Sequence, residues 1–287
     1  MKAQRIPDSI SYHGEGPCWW PATGRLRFVD MLAGVVVELD DRAEGGHRRL
    51  PVPSRVASVI RPRAGGGALV ATERGIALGR EEDLSDLKEV VSLTDDPTIR
   101  TNEGGCDPDG RFWVGTMSYD KVVGAAGVYR WDGPGTAPVL AWSGATTANG
   151  LGFSPDGELG YWVDTPTRTV TVLDYDARAG LADPRPFVDI DEGAGKPDGL
   201  CVDAEGGVWV ALHRGSAVRR YDADGRLSEV VELPVSKVTA CTFGGEGLDL
   251  LFITTSRENL PDGVEPASGS VYACEPGVRG LEPLTFG

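Results

Sequence analysis

Glu15, Ser58, Asn102, Asn149 and Asp198 occupy one recurring place in this chain. Eight residues after the last four comes a turn glycine: Gly66, Gly110, Gly157 and Gly206. Nine residues after Glu15 comes Gly24, because the turn Pro21-Ala22-Thr23-Gly24 is one residue longer. A repeat that only packs fills equivalent positions alike. Here the residues differ and all bear oxygen, which points to a shared central site. Glu15, Asn149 and Asp198 supply two carboxylates and one amide oxygen, a hard donor set of formal charge −2. Such a set suits Ca²⁺, Mg²⁺ or Mn²⁺, with waters completing the shell. Zinc prefers His and Cys and matches it less well. The same side chains also cap turns or satisfy backbone groups, so spacing alone leaves both readings open.

The elements that must position these residues are short strands. With Thr239, the recurring places lie at 15, 58, 102, 149, 198 and 239, steps of 41 to 49 residues. That is the length of a four-stranded propeller blade. Each unit reads strand, tight turn, strand. Pro-Asp-Gly puts Pro at the second turn position and Gly where positive φ is needed. The runs that follow, such as Phe112-Trp-Val and Tyr161-Trp-Val, are rich in the residues strands prefer. Third strands come next, at 127–131, 169–174 and 218–222. No stretch carries a sustained helical period with caps. The run from Glu81 to Lys88 reads as a solvated loop. The pattern predicts an all-β fold, a six-bladed β-propeller of four-stranded antiparallel blades, forming one domain over 1–287. The segments Ile6–Ser11 and Leu281–Phe286 are expected to pair within one blade and close the ring, removing open edges.

Composition narrows the functions. The 28 basic and 43 acidic residues give a net charge of −15. That argues against nucleic acid or an anionic membrane as partner, since phosphate binding needs clustered Lys and Arg. Mean hydropathy is −0.18, and no apolar run approaches the length of a membrane span. The N-terminus lacks the apolar core of a signal peptide. The five cysteines include no CxxC pair. Cys18, Cys106, Cys201 and Cys241 fall in first strands and read as small buried apolar residues in a reducing cytoplasm.

Several motifs together resemble the SMP-30/gluconolactonase/regucalcin family. They are Glu15-Gly-Pro, Arg100-Thr-Asn102-Glu-Gly104 with the run to Met117, Asn149-Gly-Leu-Gly-Phe-Ser-Pro-Asp-Gly157, and Pro197-Asp-Gly-Leu-Cys-Val-Asp203. The tail from Val238 to Thr255 fits as well, so the likeness runs over nearly the whole chain. The family fold is a six-bladed propeller around a central metal site. The resemblance implies that Glu15, Asn149 and Asp198 bind one divalent cation, Ca²⁺ first, with Mg²⁺, Mn²⁺ or Zn²⁺ as alternatives. It implies that Arg100 and Asn102 bind substrate oxygens and that Asp120 makes an acidic substrate contact. Glu103 stands where the family usually has Asp; its longer arm narrows the pocket or reaches the metal's waters. The implied activity is opening of a sugar-type lactone. The cation polarises the carbonyl, and water attacks with Asp198 as its base.

Other readings compete with this one. A serine hydrolase is excluded by the absence of G-x-S-x-G. A phosphotriesterase or sugar-acid dehydratase on the same site, or a noncatalytic calcium-binding propeller, remain alternatives, since fold does not fix function. His13 reads as a loop residue, His47 as exposed and His213 as packing. Trp113, Trp162 and Trp209 read as blade-to-blade packing, and Arg214 and Arg257 as surface. The expected partner is a small lactone or sugar acid. No protein partner is implied.

Overall fold

Each turn glycine does what the sequence requires of it. Gly110 and Gly206, for instance, hold φ of 79° and 81°, where a side chain is strained. The aspartate that opens each of these turns is a hydrogen-bond hub. Asp107 Oδ1 accepts from the backbone N–H of Asp109 and Arg111, while Oδ2 accepts from Trp113 Nε1 at 2.7 Å. Asp203 repeats this with Glu205, Gly207 and Trp209 Nε1. The recurrent tryptophans therefore anchor turns as well as pack. Trp162 follows Ser154 rather than Asp and instead meets Trp142 edge-on, centroids 5.3 Å apart.

The computed structural model describes residues 1–6 and 10–287. Its strands form six four-stranded sheets, with every paired neighbour antiparallel, so the fold is the expected six-bladed propeller. In the first blade the strands run outward from the axis as Gly14–Trp20, Arg25–Asp30, Val35–Leu39 and His47–Pro51. Blades two to five follow the same order, with inner strands Ala57–Pro62, Ile99–Cys106, Ala148–Phe153 and Lys196–Val202.

The sixth blade is built from both ends of the chain. Its inner strand is Val238–Gly244, followed by Leu250–Thr255 and Tyr272–Cys274; Gln4–Arg5 adds the outermost strand. Closure therefore differs from the expected pairing. Gln4 and Arg5 pair with Ala273 and Tyr272, and Pro7, Asp8 and Ser9 of the expected segment lie outside the described residues. The 281–286 segment joins no blade as a strand. Phe286 bridges to Arg63 in blade two and stacks on Trp131, centroids 5.1 Å apart. A stretch rich in Pro and Leu has more to gain by capping an apolar opening than by joining an edge that another strand already covers. The 81–87 stretch is a loop, as expected, pinned by buried Leu84 and Leu87.

The core lies between the blades. Apolar clusters fill all six seams, from the seam around Trp20, Val29 and Ile60 between blades one and two to that around Phe28, Val37 and Phe252 between six and one. Near the axis the inner strands approach closely enough to demand glycine. A Cβ on Gly199 would come within 2.5 Å of the Ala240 Cβ, and one on Gly150 within 2.7 Å of the Leu200 nitrogen. These glycines directly follow Asp198 and Asn149, so the close approach carries those two side chains to the centre.

Candidate active site

The six recurring positions share a backbone device. In every inner strand the register to the second strand slips at this point: between Glu15 and Cys18, Ala57 and Val59, Thr101 and Gly104, Asn149 and Leu151, Pro197 and Leu200, and Val238 and Ala240. A β-bulge re-aims the side chains at its edge, here at one level around the channel.

The six positions then divide by task. Ser58 Oγ donates to Thr101 Oγ1 at 2.7 Å, and Thr239 Oγ1 donates to the Gly14 carbonyl at 2.6 Å. Both hydroxyls tie one blade to the next, so Ser58 does not share the central site its spacing suggested. Glu15, Asn149 and Asp198 are about 5 to 6 % exposed and turn inward. Asn149 Nδ2 donates to Thr165 Oγ1 at 2.9 Å, and Thr165 Oγ1 donates to the Pro197 carbonyl at 2.9 Å. This chain fixes the amide so that Asn149 Oδ1 points away from it, without a partner. Glu15 Oε2 and Glu103 Oε2 are likewise buried and unpartnered.

The electrostatics follow from that crowding. Burial pushes the Glu15 carboxyl well above the usual range, and the charges of Asp198 and Glu103 push it further. Burial and Glu103 do the same to Asp198, partly offset by a hydrogen bond from Asn149. Burial also raises Glu103, against the pull of Arg61. Three carboxyls in one dry space resist ionising together unless a cation joins them. No group of three or more His, Cys, Asp or Glu among the described residues is disposed to hold a metal by itself. The set that fits a hard cation is mixed, two carboxylates with the Asn149 amide oxygen, and it leaves positions open for water or substrate. Orphaned oxygens of this chemistry are what Ca²⁺, Mg²⁺ or Mn²⁺ bind.

Arg100 and Asn102 form a unit beside this group. Arg100 Nη1 donates to Asn102 Oδ1 and to the Thr101 carbonyl, each at 2.8 Å, and Asn102 Nδ2 donates to the Ala148 carbonyl at 2.9 Å. Asn102 is thus engaged at both ends, its amide bracing Arg100 against blade four. Glu103 turns toward Arg61, whose Nη2 lies 3.7 Å from its Oε1. Asp120 stands exposed in the turn after 112–118 and is not part of the buried group. Its neighbours reach further in. Tyr119 donates to Glu73 Oε1 at 2.6 Å, and the Lys121 charge is felt at Asp198, His13 and His213.

Sequence reasoning set His13 aside as a loop residue and missed Lys237. His13 is buried, with Nδ1 2.7 Å from Ser256 Oγ and Nε2 3.7 Å from Glu15 Oε1. Burial and Arg100 push it down to about 3, so it is neutral. Its place two residues before Glu15, on the same face of an extended chain, was the available signal. Lys237 is 4 % exposed and donates to the Glu258 carbonyl. No spacing rule marks it. His213 is half-buried at the same end and pushed down to about 4 by burial and Lys237.

Toward the turn-glycine end, the inner strands enclose a separate cavity of about 130 Å³. Glu103 and Arg61 form part of its lining, four cysteines face it, and Leu281–Leu284 borders it. Its lining is mixed, with apolar side chains beside Arg61, Glu103, Thr242 and Glu282.

Comparisons with known proteins agree with this geometry. Residues 13–257 match the family model described as SMP-30/Gluconolactonase/LRE-like region. Pentonolactonase XacC of Haloferax volcanii is 37% identical over 257 residues, covering 89% of this chain and 86% of that protein. Human regucalcin is 30% identical over 285 residues, covering 95% and 94%. The crystal structure of regucalcin, a calcium-binding protein, from Agrobacterium tumefaciens superposes with a TM-score of 0.89 at 29% identity, covering 100% and 97%. A match across this much of the chain, in fold and in sequence, means that this protein belongs to the SMP-30/gluconolactonase/LRE-like family.

Proposed function

We propose that this chain hydrolyses sugar-type lactones at the bulge-lined end of the channel, with one divalent cation held by Glu15, Asn149 and Asp198. Support at the family level comes from the relatives named as lactonases. The observation that carries the metal requirement is the set of buried oxygens without partners, Glu15 Oε2 and Asn149 Oδ1 beside Asp198. Calcium is the first candidate, as in the regucalcin structure. A cation bound there supplies Lewis-acid polarisation of the lactone carbonyl.

The protein's own residues do the rest. The Asp198 carboxylate, buried beside the cation's place, is positioned to accept the proton of the attacking water. Arg100, braced by Asn102, presents its remaining N–H groups to substrate hydroxyls. Glu103 and Arg61 close the floor and keep substrate out of the cavity beneath. Neutral His13 holds its place against Glu15 without competing with the cation by charge. Tyr119 and Lys121 border the entrance, and Asp120 contacts substrate only at the exposed rim.

The test is to strip the protein with chelator, assay a lactone panel, and add back Ca²⁺, Mg²⁺, Mn²⁺ and Zn²⁺ singly. Activity that returns with a divalent ion, and is absent in Asp198→Asn, supports the proposal. Tight cation binding with no turnover on any lactone would replace it with a noncatalytic calcium-binding role.

A further inference from the structure

The four cysteines facing the lower cavity are not equivalent. Cys201 Sγ and Cys241 Sγ lie 3.6 Å apart, though forty residues separate them in the chain. They sit on the inner strands of blades five and six, beside the Gly199–Ala240 contact where those strands come closest. Cys241 also has the Trp209 carbonyl 3.6 Å from its sulfur. If Cys241 donates its S–H there, Cys201 donates to the Cys241 sulfur, and the two sulfurs face each other directly. Both line the cavity of about 130 Å³, room for a few water-sized molecules. Leu281, Glu282, Pro283 and Leu284 form part of its lining, and Glu282 and Leu284 are exposed to solvent.

We propose that Cys201 and Cys241 are a peroxide-responsive dithiol that closes to a disulfide between blades five and six. A disulfide needs the sulfurs about 2 Å apart, a closure of about 1.5 Å from the separation seen here. Peroxide first oxidises one thiol to a sulfenic acid and is reduced to water. The second thiol attacks that sulfur, the S–S bond forms, and the hydroxyl leaves as a second water. Two thiols and one peroxide thus give one disulfide and two waters. Burial and the neighbouring Cys241 hold the Cys201 thiol well above its ordinary range, so its thiolate is scarce and the first oxidation is slow.

The experiment treats the full chain, previously reduced, with excess hydrogen peroxide under native conditions, then blocks the remaining thiols and maps peptides without reduction. The expected product has lost two hydrogens, joins the Cys201 peptide to the Cys241 peptide, leaves Cys18, Cys106 and Cys274 alkylated, and reverts with dithiothreitol. In Cys241→Ala that mass loss disappears, and Cys201 gains oxygen instead. Five alkylated thiols after treatment of the unmutated chain, a bridge to any other cysteine, or a bridge formed only in denaturant would each overturn the proposal.

Discussion

Replacing Asp198 by Asn is expected to stabilise the cation-free protein while abolishing its chemistry. Asp198 is 6 % exposed, and Glu15 and Glu103 beside it are each 5 % exposed. Burial and the Glu103 charge both oppose ionisation of Asp198. Two unit charges on the order of 6 Å apart repel by about 3 kcal/mol at an effective dielectric of about 20. Proton uptake relieves part of this, so removing one carboxylate should recover roughly 1–3 kcal/mol. At about 2 °C per kcal/mol for a chain of this size, the melting temperature rises by roughly 2–6 °C. With a divalent cation the order reverses. The unmutated protein gains about 2.7 kcal/mol at a hundredfold excess over Kd, and the variant, short of one ligand charge, gains far less. Lactone turnover in Asp198→Asn should fall by orders of magnitude under both conditions. The assay is thermal unfolding of both proteins, in chelator and with added Ca²⁺. A cation-free variant less stable than its parent, or equal stabilisation of the two by Ca²⁺, would refute the charge-crowding argument.

Three further outcomes follow from particular contacts. His213 is lowered from 6.5 to about 4, so the unfolded chain binds that proton first. Its contribution is complete above pH 6.5 and is lost as pH falls through 4, by at most about 3 kcal/mol; urea unfolding of His213→Gln at pH 7 and 4.5 should show a smaller loss than the parent, and parallel losses would count against the shift. Asp203→Asn removes the fully buried charge that faces Arg220 Nε at 2.7 Å, and should lower stability by about 3 kcal/mol, read as a drop in the urea midpoint; a change below about 1 kcal/mol would deny the hub its role. Phe286→Ala empties the contact with Trp131 and should cost about 3 kcal/mol, with faster proteolysis of the chain's end as the check; unchanged proteolysis would mean the tail is held elsewhere.

Much of the blade architecture was legible because it is local. Turn glycines, strand runs and spacing all lie within one repeat, and six repeats reinforce the pattern. Ring closure was less legible because nothing in Gln4-Arg5 or 281–286 says which edge each will meet; the choice depends on which surface is already covered in the finished ring. The site divided along the same line. Glu15, Asn149 and Asp198 announced themselves through the repeat, and in the structure all three are buried. Ser58 carried the same signal but bonds to Thr101 of the next blade. Lys121 and Lys237 lie outside the repeated position, and only the closed ring brings the Lys121 charge near Asp198 and both charges near neutral His13.

The bulge explains why one repeated position serves two purposes. It turns each side chain toward the axis, but the axis has room for only a few. A short hydroxyl at 58 or 239 reaches the neighbouring strand before it reaches the centre, and its hydrogen bond crosses a seam between blades. A longer carboxylate or amide passes that strand and enters the channel. Length sets the reach on an unchanged backbone but does not alone set the task, for Asn102, as long as Asn149, ties to the Ala148 carbonyl of the next blade. Glu103 sits inside the same bulge as Asn102 and turns toward Arg61, while its charge raises the proton affinity of both Glu15 and Asp198. The same ring that draws these charges together also supplies what makes their crowding bearable, six apolar seams between the blades. The donors are held in place by contacts distant from them, so the chemistry at the centre can change by substitution at the bulges while the seams remain as they are.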